Sequence, residues 1–156
     1  MIAYSNADFA GYKLDRKSIS KTCQFLEVNL ISWFSKKQNS VALSTAEAEY
    51  VSVRSCCAQI LWIKQQLEDF GIKVNIILIR CDNTSTIYLN KNPIQHSRTK
   101  HIEIRHHFIR DLIQNSDVMF DFVCTDRQLT DIFTKPLSED RFCMIRRELG
   151  VIDPFN

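Results

Sequence analysis

The sequence predicts an α/β sandwich built on a five-stranded mixed sheet flanked by helices. Three observations carry that expectation. Three strand-like segments follow one another before the first helical pattern begins. An apolar run, Lys73 to Cys81, follows that first helix, as expected of a strand buried on both faces. Beyond it, helix-period and strand-period patterns alternate to the end, and such a mixture packs helices on a sheet.

The elements justify this in order. Met1 to Ser5 reads as a short first strand, and Gly11 with the polar stretch Lys13 to Ser20 as a loop. Thr22 to Val28 and Leu30 to Phe34 read as two strands meeting at a tight turn near Asn29, so the chain opens with an antiparallel meander. Ser44-Thr45-Ala46-Glu47 fits a capping box, in which serine and glutamate side chains satisfy orphan backbone amides. Val53, Cys57, Ile60, Ile63, Leu67 and Phe70 then recur at helical spacing, and Gly71 is a natural left-handed stop. A short helix is expected around Thr84 to Asn90, ending before Pro93, and a long one over Arg98 to Gln114. Val118 to Cys124 alternates like a strand. Helices near Arg127 to Phe133 and over Glu139 to Leu149 close the chain.

A length of 156 residues suits one domain with one core, 1–156. Hydrophobic content of 45% and charged content of 24% are ordinary for a globular protein. The net charge of +2 does not announce a nucleic-acid binder, so any basic surface must come from local clustering. Met1 to Ala10 lacks a basic segment followed by an apolar one, so no signal peptide is expected. The apolar run Ile76 to Ile79 is far too short to span a bilayer, and no membrane partner is expected. Cys23, Cys56, Cys57, Cys81, Cys124 and Cys143 form no C-x-x-C pair, which argues against a zinc ribbon or knuckle. Most lie in apolar stretches, where a thiol behaves as a small hydrophobe. A reducing compartment, cytosol or nucleus, is the economical expectation.

Acidic residues are the candidates for chemistry. Asp82 follows the buried strand at its C-terminal end, the edge at which open α/β sheets bind ligands; the plainer alternative is a cap for the next helix. Glu49 lies three residues after Ala46 and four before Val53, on their inward face. A carboxylate there needs a partner such as a metal ion, unless it is exposed at the sheet's end near the helix start. Asn6 and Asp8 sit at the end of the first strand, and Asp131 in a short helix; alone, neither place signifies. Together, such groups can converge on two magnesium ions about 4 Å apart, which would stabilise both oxygens of an in-line phosphoryl displacement.

These residues sit in recognisable blocks. Tyr4-Ser5-Asn6-Ala7-Asp8-Phe9-Ala10-Gly11 resembles the Y-S-D-A-D-W-A-G opening of ribonuclease H domains in copia-type retrotransposon polyproteins. Ser32-Trp33-Phe34-Ser35-Lys36-Lys37-Gln38 and Val41 to Tyr50 resemble the S-W-x-S-K-K-Q and V-A-L-S-T-A-E-A-E-Y blocks. Cys81-Asp82-Asn83, Lys91-Asn92-Pro93, His96 to Ile102 and Gln128 to Leu137 are similar to the remaining blocks, in order, over nearly the whole chain. The resemblance implies the ribonuclease H fold and magnesium-dependent cleavage of the RNA strand of an RNA–DNA hybrid, with manganese as an alternative ion. By position it places the four catalytic groups at Asn6, Glu49, Asp82 and Asp131, of which Glu49, Asp82 and Asp131 retain the metal-binding carboxylate.

Position 6 departs from the pattern. An amide keeps the size and one acceptor oxygen but loses the charge. A unit charge pair at 4 Å is worth roughly 4 kcal/mol at an effective dielectric near 20. A thousandfold rate loss needs only about 4 kcal/mol. Reduced metal affinity and slow or absent cleavage are therefore expected. Asp8, about 6.5 Å further along the strand, is not expected to substitute. Lys21 replaces a usual glycine, read here as a turn position; Ile19 replaces a usual threonine and Thr130 a usual alanine.

All four histidines fall between His96 and His107, among Arg98, Lys100, Arg105 and Arg110. Without an H-x-x-x-H pair or cysteine partner, this is either a solvated helix face or a phosphate-contacting surface. Lys36 and Lys37, beside Trp33 and Phe34, form a second basic patch. Lys36, Lys37 and Arg98 are the expected contacts to nucleic acid. Two functions stand: an impaired ribonuclease H, and a domesticated non-catalytic module that binds nucleic acid or a protein.

Overall fold

The computed structural model describes residues 1–91 and 103–151, and at 89–91 and 103–107 the backbone alone. Arg98, His96 and His101 lie outside the described residues. So do the side chains of His106 and His107.

Three strands, β1 (Ile2–Asp8), β2 (Ile19–Leu26) and β3 (Asn29–Lys37), form the antiparallel meander. Helix α1 (Thr45–Asp69) crosses back, so that β4 (Ile77–Cys81) pairs with β1 in parallel. Helices α2 (Thr84–Lys91) and α3 (Glu103–Gln114) lead to β5 (Val118–Phe122), parallel to β4. Two 3-10 turns, Thr125–Arg127 and Leu129–Phe133, precede α4 (Glu139–Glu148). The sheet is five-stranded and mixed, in the order β3-β2-β1-β4-β5.

Each face of the sheet carries its own apolar layer. Ala3, Ile77, Ile79, Val118 and Phe120 pack with Val53, Cys57 and Ile60 of α1 and Ile109 and Leu112 of α3. Tyr4, Cys23 and Phe25, of opposite pleat parity, pack on the other face with Leu129 and with Ile145 and Leu149 at the α4 end. Side chains of β1 therefore alternate between α1 and the Leu129–Phe133 turn. Asn6 shares the parity of Tyr4.

Several local expectations needed correction. The strand β2 begins at Ile19, inside the stretch read as loop, because Ser20 and Lys21 are held by ladder partners on both sides, β1 and β3. Lys21 is thus a mid-strand residue opposite Asn6, not a turn residue. The hairpin turn falls at Glu27–Val28 with Glu27 at φ 56, and Asn29 is already paired with Leu26. Strand β4 starts only at Ile77, and β5 ends at Phe122. The segment read as one helix near Arg127–Phe133 is two 3-10 turns broken at Gln128.

The boundaries of α1 follow from its sequence. The Ser44 hydroxyl accepts from the Glu47 amide at 3.1 Å, while the Glu47 carboxylate reaches one residue further back, to the Leu43 amide at 2.7 Å. At the far end Gly71, at φ 78, donates to Glu68 O and Ile72 donates to Leu67 O, a Schellman closure that spares the glycine any Cβ penalty.

Candidate active site

The ends of β1 and β4, the first turn of α1 and the Leu129–Phe133 turn meet at one edge of the sheet. Glu49 is brought there by α1, one turn past the Ser44 cap, and is buried with only 6% exposure. Its Oε1 accepts from the Ala7 backbone amide at 2.9 Å; its Oε2 is buried without a hydrogen-bond partner. Burial pushes this carboxyl up to about 8, against the Ala7 amide and with the help of the Asp82 charge. The exposed alternative for Glu49 does not hold.

Asp82 follows β4 and is half-buried. It does not cap α2: the Asn83 side chain does so, accepting from the Thr86 amide at 3.0 Å. Burial raises the Asp82 carboxyl, and the Asp131 charge adds to the rise. Donor atoms of Glu49, Cys81 and Asp82 lie within 4.8 Å of one another. Burial pushes the Cys81 thiol up to about 12, and its soft sulfur does not suit magnesium, which favours oxygen ligands.

Asn6 and Asp131 form the other half. The Asn6 amide donates to Asp131 Oδ1 at 3.0 Å. Asp131 is fully buried and also meets three cations: Lys21 Nζ at 3.3 Å and Lys135 Nζ at 2.9 Å on Oδ1, and Arg141 at 2.8 Å on Oδ2. The structure thus brings Asn6, Glu49, Asp82 and Asp131 to one edge. It adds Lys21, Lys135 and Arg141, which sequence reasoning did not place there. The signal for Lys21 was its departure from glycine. Lys135, four residues after Asp131, lies inside one of the family blocks, and nothing in the sequence pointed to Arg141.

Whether these groups suit a pair of divalent ions can be judged from their contacts. The orphaned Glu49 oxygen beside Asp82 is the kind of group a cation would satisfy. The other half does not fit. Asp131 is already neutralised by protein cations, and Asn6 turns N–H hydrogens toward it rather than a lone pair. Asp8 offers no substitute: its carboxylate folds over Gly11, where any Cβ would collide with it. Thr130 is accommodated, its hydroxyl donating to Gln128 at 3.1 Å.

A groove of about 520 Å3 runs between β3 and α1, lined by Lys36, Lys37, Arg54, Gln38 and Gln59. Lys36 and Arg54 are exposed. Lys37 is occupied by Asp15 at 3.1 Å and lies over the Tyr12 ring at 4.0 Å. Arg54 was not singled out in the sequence, because a lone arginine on a helix carries no motif. Trp33 is 61% exposed, so it is not a core aromatic. Among the described residues no helix is long and apolar enough to cross a membrane.

No protein-family model matches the chain. The chain is 42% identical over 151 residues to the retrovirus-related Pol polyprotein from transposon RE2 of Arabidopsis thaliana, a match covering 96% of this chain and 10% of that protein. It is 43% identical over 150 residues to the corresponding polyprotein from transposon RE1 of the same plant, with the same coverage. With the polyprotein of transposon TNT 1-94 of Nicotiana tabacum it shares 34% over 148 residues, 95% of this chain and 11% of that protein. The chain thus spans about a tenth of the length of these relatives. Among solved structures it resembles RNase H1 of the archaeon Halobacterium salinarum, with a TM-score of 0.58 at 11% identity over 83% of this chain and 89% of that one. It also resembles LC11-RNase H1 in complex with an RNA/DNA hybrid, with a TM-score of 0.54 at 10% identity over 81% and 87%. Sequence and fold agree: the chain is a ribonuclease H-like domain of the copia-type, retrovirus-related Pol polyprotein family.

Proposed function

We propose that this domain engages RNA–DNA hybrids along the β3–α1 groove and the carboxylate edge, and that it cleaves them extremely slowly or not at all. One observation carries the second half: both oxygens of Asp131 are bound by protein groups, with the Asn6 amide where the resemblance implies a fourth carboxylate. In the implied chemistry two divalent cations activate water and stabilise the leaving oxygen. The residues present do not fit that pair, so no cleavage step is assigned to them. What supports hybrid binding is the basic groove beside the site and the likeness to a fold solved with an RNA/DNA hybrid. The A-form-like shape and 2′-hydroxyls of a hybrid call for such a surface and for no base-reading motif.

The experiment is paired. A labelled hybrid is titrated with the chain in chelator, and cleavage is followed in magnesium and in manganese. Salt-sensitive binding is expected, with cleavage reduced about a thousandfold or more, a loss equivalent to about 4 kcal/mol. Rapid cleavage by the unmodified chain would sink this reading.

A second reading, a non-catalytic module that binds a protein, is favoured by an apolar surface in which Val28 and Trp33 lie beside Phe142 and Val151. A folded chain with no affinity for hybrids would support it. The free cysteines, four of them buried, support a reducing cytosolic or nuclear setting.

A further inference from the structure

Position 21 lies directly opposite Asn6 in the β1–β2 ladder, and opposed residues of an antiparallel pair project to the same face. The Lys21 side chain therefore runs from the middle of a strand into the carboxylate edge. It is completely buried there, an unusual state for a lysine. Its ammonium ends 3.3 Å from Asp131 Oδ1, the oxygen that also accepts from Asn6.

We propose that Lys21 is a built-in counter-ion: its ammonium takes the charge-neutralising place of a divalent cation between positions 6 and 131 and closes that half of the site to metal. The inference rests on the functional reading above and deepens it, because it makes Lys21, and not Asn6 alone, the deciding residue.

Three points support the assignment. Lys135 and Arg141 approach Asp131 from the rim, with side chains 36% and 26% exposed, as surface partners of a buried acid do. Lys21 alone comes from within the sheet, with no exposure at all. A glycine inside a strand often marks a place where a ligand approaches closely, and glycine is what the resemblance implies at position 21. A side chain added at this register fills that space. Asn6 and Lys21 are also mutually consistent. The neutral amide can donate to Asp131 while Lys21 neutralises it. Restoring a carboxylate at position 6 would simply give Lys21 a second anion to pair with.

The test uses manganese ion alone, without nucleic acid, and counts by calorimetry the ions bound, because an ion held by Glu49 and Asp82 lies beside the Ala7 amide and leaves the proposal untouched. The unmodified chain and Asn6→Asp should bind at most that one ion. The double variant Asn6→Asp/Lys21→Gly should bind one manganese ion more than Asn6→Asp, with the second site on the order of a hundredfold tighter than any trace of it in Asn6→Asp. Lys21→Ala, which keeps a strand-compatible backbone, replaces Lys21→Gly if the glycine variant does not fold. A second manganese ion bound by the unmodified chain overturns the proposal and needs no variant. So does a second ion bound by Asn6→Asp as tightly as by the double variant, or a folded double variant that binds no more ions than Asn6→Asp. Hybrid affinity in chelator is measured separately: its absence would refute the functional reading while leaving the metal result intact.

Discussion

Lys21 and Asn6 face each other across the β1–β2 ladder and converge on one atom, Oδ1 of the fully buried Asp131. Removing the acid strands the ammonium; removing the ammonium leaves the acid with Lys135, Arg141 and Asn6. A buried ion left without its partner typically costs about 3–5 kcal/mol. Asp131→Ala should therefore lower urea-derived stability by roughly that amount, and Lys21→Met by clearly less. Equal losses in the two variants would refute this account of the pair.

Glu49 gives the domain a distinctive pH response. Its carboxyl titrates at about 8 in the fold, above the ordinary value of 4.5. The unfolded chain therefore releases this proton first as pH rises, and the native state binds more protons between those two values. Stability then falls with rising pH, by up to about 1.4 kcal/mol per unit, from roughly pH 5 until the folded carboxyl ionises. Glu49→Gln keeps an oxygen for the Ala7 amide and removes the titration. In metal-chelated buffer that variant should flatten the stability profile and be the more stable chain at pH 8. A profile unchanged by the substitution would count against the burial of an ionisable group there.

The groove separates two neighbouring lysines. Lys36 and Arg54 present exposed charge, whereas Lys37 is held by Asp15 and the Tyr12 ring. Lys36→Ala or Arg54→Ala should weaken hybrid binding and reduce the slope of log affinity against log salt by about 0.9 for each phosphate left unneutralised. Lys37→Ala should do less. The opposite ranking, read by fluorescence anisotropy at several salt concentrations, would move the interface elsewhere.

At the end of α1, Gly71 has φ 78 and open space around a would-be Cβ. Gly71→Ala should cost only the conformational penalty of about 1–2 kcal/mol, with the fold intact by circular dichroism. A larger loss would reveal packing at that position.

Much of this was legible in the sequence because it is local. Ser44, Glu47 and Gly71 bound α1, and the period of Val53, Cys57 and Ile60 turns its apolar face inward. The carboxylate edge was legible through the block pattern around Asn6, Glu49, Asp82 and Asp131. What escaped was register. Ser20 and Lys21 look like loop residues until they are seen paired on both sides, and only that pairing aims the Lys21 side chain at Asp131. Asn29 attracted the turn because asparagine tolerates left-handed backbone, yet Glu27 takes that conformation. Arg141 reaches Asp131 from a different element, a pairing no spacing rule encodes.

The opposition of positions 6 and 21 also bears on how such a lesion persists through descent. A codon for asparagine becomes one for aspartate by a single base change, whereas lysine to glycine takes two. Were Lys21 to capture the restored carboxylate as proposed, the easy step would bring no gain in metal binding for selection to act on, and the hard steps none until the easy one was in place. Starting from the aspartate and glycine that the resemblance implies, the ladder that sets these two positions face to face would thus work as a ratchet: once both had changed, the metal site would return only along a path whose intermediates confer no advantage.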